Sequence, residues 1–183
     1  EEDFPFVIFG RTTTPDDRIA WADVDGESGV AMAIKHLVEL GHRRIGIVGW
    51  DNQTTVNYFR LKGFRSAMTR AGLPVQADYI ILGDRGEAAG RQALRRWMTL
   101  PKRERPTAVL TASDFEAIGV MREAELNGLT IGDTLSVIGF DDMPLSEHLH
   151  PSLTTLSQPI PEAASIVMDM LHNIINNQQL KHQ

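Results

Sequence analysis

Residues 37–48 read LVELGHRRIGIV, and they contain a sharp change from one hydrophobic pattern to another. Up to Gly41, apolar side chains recur at helical spacing from residue 26 onward, which predicts an amphipathic helix over 26–40. A glycine directly after such a run is a common helix end, because glycine tolerates the left-handed conformation found there. Residues 45–48 are then continuously apolar, as in a strand buried on both faces of a sheet. A helix followed by a buried strand is the repeating unit of parallel α/β proteins.

The same alternation continues on both sides of this boundary. Strands are predicted, in chain order, at 4–9, 19–24, 45–48, 79–82, 107–111 and 135–140, with a short segment at 153–156. Helices are predicted at 26–40, 87–98, 113–127 and 161–176. A further helix has Leu61, Phe64 and Met68 on its apolar face and ends at Gly72. Strand–helix units that follow one another at this spacing require right-handed crossovers. The predicted fold class is therefore α/β, a parallel sheet with helices on both faces.

The composition restricts the kind of protein this is. Of 183 residues, 42% are hydrophobic and 23% are charged, which is ordinary for a soluble globular domain. The net charge of -6 provides no uniform positive field, so we expect the chain by itself to bind DNA poorly. Cysteine is absent, which excludes thiol nucleophiles and disulfides and fits a reducing, cytoplasmic compartment. No apolar run is long enough for a membrane span, so we expect no membrane partner.

The first predicted strand begins at residue 4 of the sequence. A strand buried on both faces needs neighbouring strands, and little sequence precedes this one to supply them. We therefore expect the chain to be part of a longer protein.

Polar side chains follow the predicted strands at the points where the strands end. In chain order they include Arg11, Asp25, Trp50, Arg85, Ser113 with Asp114, and Asp141 with Asp142. In open parallel sheets the ligand lies beyond the carboxyl ends of the strands, so these side chains should share one rim. Carboxylates and guanidinium groups each engage two adjacent polar atoms, and an aromatic face can cover a ring. The rim is suited to a sugar or a nucleobase.

Several of these residues have an ordinary structural alternative. Ser113 and Asp114 are residue types that cap helices, and Ser113-Asp114-Phe115-Glu116 has the pattern of a capping box. Asp141-Asp142 stands before Met143-Pro144, where turn chemistry explains it equally well. Arg60 lies on a predicted helix, where a surface arginine is the default.

Signatures of catalysis and of metal binding are weak. The sequence contains no G-x-S-x-G, no P-loop, no H-E-x-x-H, and no G-x-G-x-x-G after a strand. His148 and His150 form the closest approach to a metal pair, but a third ligand at a recognisable spacing is missing. We therefore predict a protein that is not an enzyme and holds neither a metal nor a cofactor.

Five motifs occur in an order that resembles the effector-binding core of the LacI/GalR family of bacterial transcription regulators. They are LVELGHRRIGIVG at 37–49, RLKGF at 60–64, PTAV at 106–109, LSVIGFDD at 135–142 and PSLTTLSQP at 151–159. The resemblance implies a periplasmic-binding-protein-like type I fold, in which two subdomains joined by three crossings bind an effector in the cleft between them. It also implies an N-terminal helix-turn-helix head that reads operator DNA.

On this resemblance the chain carries an incomplete first subdomain. Residues 1–40 would be a remnant of the N-terminal subdomain, residues 41–153 the C-terminal subdomain, and residues 154–183 the return crossing and C-terminal helix. The DNA-binding head would lie outside this chain.

The resemblance also assigns candidate effector-binding residues. Arg60 opens the R-L-x-G-F motif, Asp141 is the first carboxylate of G-F-D-D, and Gln158 follows L-T-T. Asp25 matches an acidic position used in the purine-responsive branch, and Ser113 stands where many relatives have Asn.

Two positions depart from the family pattern. Gly10 stands where an effector-binding Asp is usual, and Arg85 stands where a stacking aromatic residue is frequent. An arginine at position 85 could favour an acidic or phosphorylated sugar.

The resulting prediction is the effector-sensing domain of a DNA-binding regulator, most often a repressor. The effector would be a sugar, a sugar phosphate or a nucleobase, and subunits would form a homodimer partly through helix 115–127. The alternative is a periplasmic sugar-binding protein of a transport system, because that class shares the fold. An enzyme ranks third.

Overall fold

A computed structural model of the chain describes residues 4–12, 16, 18–50 and 54–176. Seven strands lie within these residues: β1 (Ile8–Phe9), β2 (Trp21–Ala22), β3 (Ile45–Trp50), β4 (Ile80–Gly83), β5 (Ala108–Thr111), β6 (Ser136–Asp141) and β7 (Thr154–Ser157). The α-helices of the same residues are α1 (Gly26–Glu39), α2 (Thr55–Arg70), α3 (Glu87–Met98), α4 (Asp114–Leu126) and α5 (Ile160–Ile175). Short 3-10 helices occupy Ala77–Tyr79, Lys102–Glu104 and Ser146–His148.

Five strands form one parallel sheet in the order β4-β3-β5-β6-β7. Successive side chains of a strand point to opposite faces, and β3 illustrates this alternation. Ile45 and Ile47 pack into the hydrophobic core beneath α1 and α2. Val48 packs into a second core together with Leu94 of α3 and Val120 of α4. The predicted α/β class, with helices on both faces of a parallel sheet, is confirmed.

Helices α3 and α4 approach each other closely because each has a glycine at the crossing. A Cβ atom on Gly90 would overlap the carbonyl oxygen of Glu116, and one on Gly119 would overlap that of Glu87. Larger side chains here would therefore push the helices apart. The crossing determines where the N-terminal end of α4 stands relative to the sheet.

Strands β1 and β2 form a separate two-stranded parallel sheet, in which Ile8 pairs with Trp21. Helix α5 packs on it through Met170, against Ala20 and Ala22. The predictions of longer strands at 4–9 and 19–24, the first buried on both faces, were wrong. Phe4 is 83% exposed and Phe9 is 53% exposed, and the ladder joins only Ile8–Phe9 to Trp21–Ala22.

Two contacts cross the subdomain boundaries that the sequence suggested. Helix α1, from the 1–40 segment, shares a hydrophobic core with α2 and the large sheet through Val30 and Ile34. Strand β7, from the 154–183 segment, pairs with β6 in the same sheet. The division into 1–40, 41–153 and 154–183 stays a prediction. Among the residues with described positions, no helix combines the length and apolar character needed to cross a bilayer.

Candidate functional site

Arg60 lies at the centre of the rim formed by the carboxyl ends of the large sheet. It is 5% exposed, and its guanidinium carbon lies 3.6 Å from the centroid of the Phe140 ring. Its Nη1 donates to the carbonyl oxygen of Ala112, just after β5, while its Nε has no hydrogen-bond partner among the described residues. Burial lowers the pKa of Arg60, and the nearby Asp141 carboxylate opposes this shift. The alternative expectation, that Arg60 is an ordinary surface arginine, is wrong, because its side chain points from α2 into the rim.

Asp141 and Gln158 lie beside Arg60. Asp141 Oδ1 is 3.6 Å from Arg60 Nη2 and accepts a hydrogen bond of 2.5 Å from Gln158 Nε2. The pairing of Asp141 with Ser157 across β6 and β7 places Gln158 next to the carboxylate. Burial raises the pKa of Asp141, against the effects of Arg60 and the Gln158 hydrogen bond. Three of the predicted site residues are thus within reach of one small molecule.

A buried carboxylate holds the loop that follows Asp141. Asp114 is fully buried and accepts hydrogen bonds from Met143 N at 2.7 Å, Ser146 Oγ at 2.8 Å and Thr155 Oγ1 at 2.5 Å. Asp141 itself has a φ of 115°, a conformation that costs energy for a residue other than glycine. The contacts of Asp114 hold the chain on the far side of this strained residue.

Two residues near the start of the chain face the same rim. Arg11 donates its backbone N–H to Asp23 Oδ2 at 3.3 Å, and its Nε lies 3.6 Å from the same oxygen. The guanidinium of Arg11 also lies 4.5 Å from the centroid of Phe59 on α2. The negative charge of Asp23 raises the pKa of Arg60, against the effect of burial. The sequence predicted that Arg11 lies on the rim, but Arg11 was not among the candidate effector-binding residues. Asp23, which follows β2 directly, was not predicted at the rim.

Asp25 is engaged at the start of α1. Its carboxylate accepts hydrogen bonds from Ser28 N at 3.0 Å and Ser28 Oγ at 2.6 Å, and these lower its pKa. Asp25 therefore caps the helix that it precedes. Its predicted contact with an effector stays a prediction.

Ser113 caps α4 by accepting a hydrogen bond of 3.3 Å from Phe115 N. In a capping box the Glu116 side chain would bond back to the backbone N–H of Ser113, and this part of the prediction is wrong. The Glu116 carboxylate turns to the Ser113 side chain, whose hydroxyl donates to Oε2 at 2.5 Å. Its other oxygen accepts from Trp50 Nε1 at 3.1 Å and from Gly86 N at 2.5 Å. Glu116 is fully buried, and sequence reasoning assigned it only a capping role.

Arg85 is exposed and covers Trp50. Its guanidinium carbon lies 4.1 Å from the centroid of the indole, and that of Arg60 lies 5.7 Å from the same centroid. Trp50 is only 8% exposed. The aromatic ring beside Arg85 is thus that of Trp50, at the end of β3.

The described rim offers guanidinium donors, carboxylate acceptors, an amide and an indole within one region. Such groups bind a small polar molecule through paired hydrogen bonds and cover its ring. Within 4–12, 16, 18–50 and 54–176, no group of three metal-ligating side chains is placed to hold an ion.

Comparison with known proteins agrees with this architecture. The periplasmic binding protein-like domain family matches residues 34–183. A regulatory protein of the LacI family from Chloroflexus aggregans superposes with a TM-score of 0.93 at 40% identity, over 97% of this chain and 63% of that chain. A putative LacI transcriptional regulator from Bacillus cereus subsp. cytotoxis superposes with a TM-score of 0.89 at 26% identity, over 99% of this chain and 64% of that one.

Curated relatives point the same way. The ribose operon repressor of Escherichia coli is 33% identical over 180 residues, which cover 93% of this chain and 54% of the repressor. The transcriptional repressor CytR of Escherichia coli is 31% identical, over 98% of this chain and 52% of that protein. The chain therefore spans about half the length of the curated relatives it matches. It belongs to the periplasmic binding protein-like domain family, in the form found as the effector-binding part of LacI-family transcriptional regulators.

Proposed function

We propose that this chain is the small-molecule sensor of a DNA-binding transcriptional regulator, with Arg60, Asp141 and Gln158 as the centre of its effector site. The observation that carries the proposal is the buried Arg60 guanidinium, 3.6 Å from Asp141, with an Nε that lacks a hydrogen-bond partner in the described part of the chain. A buried donor without a partner is costly, and a ligand oxygen would remove that cost.

The second support is the position of Arg11 and Asp23. These residues follow β1 and β2 of the small sheet, whereas Arg60 and Asp141 belong to the layers of the large sheet. A ligand that contacts both groups stabilises one relative orientation of the two sheets. This differential affinity is the requirement for an allosteric switch. A coupling free energy of about 1–3 kcal/mol would change operator affinity roughly 5- to 150-fold.

A sugar, a sugar phosphate or a nucleobase is the proposed class of effector. Asp141 and Gln158 suit adjacent hydroxyl or ring nitrogen groups, and the exposed Arg85 suits an acidic substituent. Asp25 and Ser113 remain candidates at the edge of the site, although both side chains already cap helices. We place the protein in the cytoplasm, where an operator is accessible.

A thermal-unfolding screen tests the proposal on the longest natural protein that contains this chain. The compounds are ribose, glucose, their phosphate esters and adenine. A ligand at 100 times its Kd adds about 2.7 kcal/mol of stability, so a true effector raises Tm clearly. The same compound must also change the affinity for operator DNA. If no compound of these classes raises Tm, the proposal is contradicted.

A homodimer is part of the proposal, with α4 as the contact. Ile118 and Met121 are buried within the chain itself, so they are poor candidates for the contact. Phe115 and Leu126 of the same helix are 51% and 69% exposed, and they would contribute apolar area to a partner. Sedimentation of Leu126→Glu against the natural protein would show whether this face holds two copies together.

A transport-linked sugar-binding protein is not favoured, because the curated relatives described above are transcriptional repressors. Sequence-specific binding of an operator fragment by the natural protein distinguishes the two functions, since only a regulator requires it.

A further inference from the structure

Trp50 is held in place at both its backbone and its indole ring. Its N–H donates to Asn57 Oδ1 at 3.1 Å, and its carbonyl oxygen accepts from Asn57 Nδ2 at 2.8 Å. The indole Nε1 donates to Glu116 Oε1 at 3.1 Å. The two bonds to Asn57 fix the backbone of Trp50, and the bond to Glu116 orients its indole.

Glu116 is the residue that relates Trp50 to the rest of the rim. Its carboxylate is fully buried and collects donors from the ends of β3, β4 and β5, namely Trp50 Nε1, Gly86 N and Ser113 Oγ. A buried carboxylate is costly unless donors satisfy it, so it holds all three loops at a fixed separation. The close crossing of α3 and α4, in which Gly90 faces the Glu116 carbonyl, holds the backbone of Glu116 itself.

The indole lies against an exposed side chain. The exposed Arg85 guanidinium stacks 4.1 Å from its centroid, so a planar group on a flexible arm reaches this ring. The Arg60 guanidinium lies 5.7 Å from the same centroid and links the ring to the proposed effector contacts.

We propose that Trp50 is the aromatic wall of the effector site and that Glu116 is its positioning residue. The wall takes the apolar face of a ring-shaped ligand, while Arg60 and Asp141 take its polar edge. Arg85 swings aside or packs over the opposite side of the ring. This inference rests on the proposed function, and it assigns roles to two residues that the family motifs do not cover.

Binding measurements with variants of the natural protein test the inference, using whichever compound of the ribose, glucose, phosphate-ester and adenine panel raises Tm. Glu116→Met removes every acceptor at similar volume and should raise Kd about tenfold, as should Trp50→Leu. Glu116→Gln keeps one acceptor for the indole and should stay within about threefold of the natural protein. In the Trp50→Leu background, Glu116→Met should raise Kd by a smaller factor than it does in the natural protein, because the part of its action that passes through the indole is already lost.

Glu123→Met is the matched control. Glu123 lies on the same helix, but its carboxylate pairs with Arg91 and Arg95 of α3, away from the rim. It should leave Kd unchanged. Additive effects of Trp50→Leu and Glu116→Met would overturn the positioning role, and unchanged Kd in Trp50→Leu would overturn the aromatic wall.

A measurement without ligand distinguishes a local change at Trp50 from misfolding of a variant. The chain has three tryptophans, and the Trp50 indole N–H resonance is assigned by its loss in Trp50→Phe. It should shift in Glu116→Met, while the resonance of Trp97, whose Nε1 donates to Asp78 O, should not. An unshifted Trp50 resonance would contradict the inference. If the natural protein binds no compound of the panel, the proposed function fails and the inference fails with it. If the natural protein binds a compound and Trp50→Leu binds it equally well, only the inference fails.

Discussion

Arg60 Nη2 and Asp141 Oδ1 lie 3.6 Å apart, although one residue belongs to α2 and the other ends β6. The pair is buried on the arginine side and half-buried on the aspartate side, with side-chain exposures of 6% and 30%. Both groups therefore face one small region of the rim. Burial lowers the pKa of Arg60 and raises that of Asp141, and the attraction between the two charges opposes both shifts.

Arg60→Ala should weaken binding of the effector by roughly 10- to 100-fold, because the variant loses hydrogen bonds from a buried charged donor. Operator binding by the natural protein should persist without response to the effector. Titration calorimetry and operator-binding assays measure the two effects. Arg65→Ala, an exposed arginine on the same helix, is the control and should bind normally. Full induction in Arg60→Ala would refute the site.

Asp114→Ala should destabilise the chain by about 3 kcal/mol, because it leaves buried donors on Met143, Ser146 and Thr155 without their acceptor. Urea unfolding measures this change. Asp133→Ala, at an exposed position, should stay within about 0.5 kcal/mol of the natural chain. Equal stabilities of the two variants would show that Asp114 does not anchor the loop.

Gly119→Ala should destabilise the chain by about 1–3 kcal/mol, since the new Cβ overlaps the carbonyl oxygen of Glu87 across the helix crossing. Gly83→Ala is the control, because no atom lies within 4 Å of the Cβ it would add. Thermal unfolding of the two variants gives the comparison. A tolerated Gly119→Ala would mean that α3 and α4 separate at little cost.

His42 should make stability depend on pH. Its ring nitrogens lie 2.9 Å from Thr107 Oγ1 and 2.9 Å from Ser136 Oγ, and burial lowers its pKa in the folded chain. The unfolded chain therefore binds the proton more readily, with a pKa of about 6.5. The contribution of neutral His42 is complete above that value and is lost as pH falls through it. Between about pH 7.5 and about pH 5.5, the natural chain should lose more unfolding free energy than His42→Gln. Parallel losses in both chains would contradict this.

Much of the fold followed from local pattern. The helix predicted at 26–40 is observed at Gly26–Glu39, and the one predicted at 87–98 is observed at Glu87–Met98. Hydrophobic periodicity and a terminal glycine act between near neighbours in sequence, so they can be read without tertiary contacts. The strands at 4–9 and 19–24 were overestimated because strand length depends on how many partners a ladder has, and this is not a local property.

The sequence alone was enough to identify an α/β domain and to select Arg60, Asp141 and Gln158, because their motifs occur in a familiar order. Only the tertiary structure decided that Glu116 is more than a helix cap, since it lies 66 positions from Trp50 and 30 positions from Gly86. The sequence shows a glutamate at position 116 but does not show whether its carboxylate is hydrated or is bound by three buried donors. Its role depends on which strand ends the sheet brings together, and that is set by packing across the whole domain.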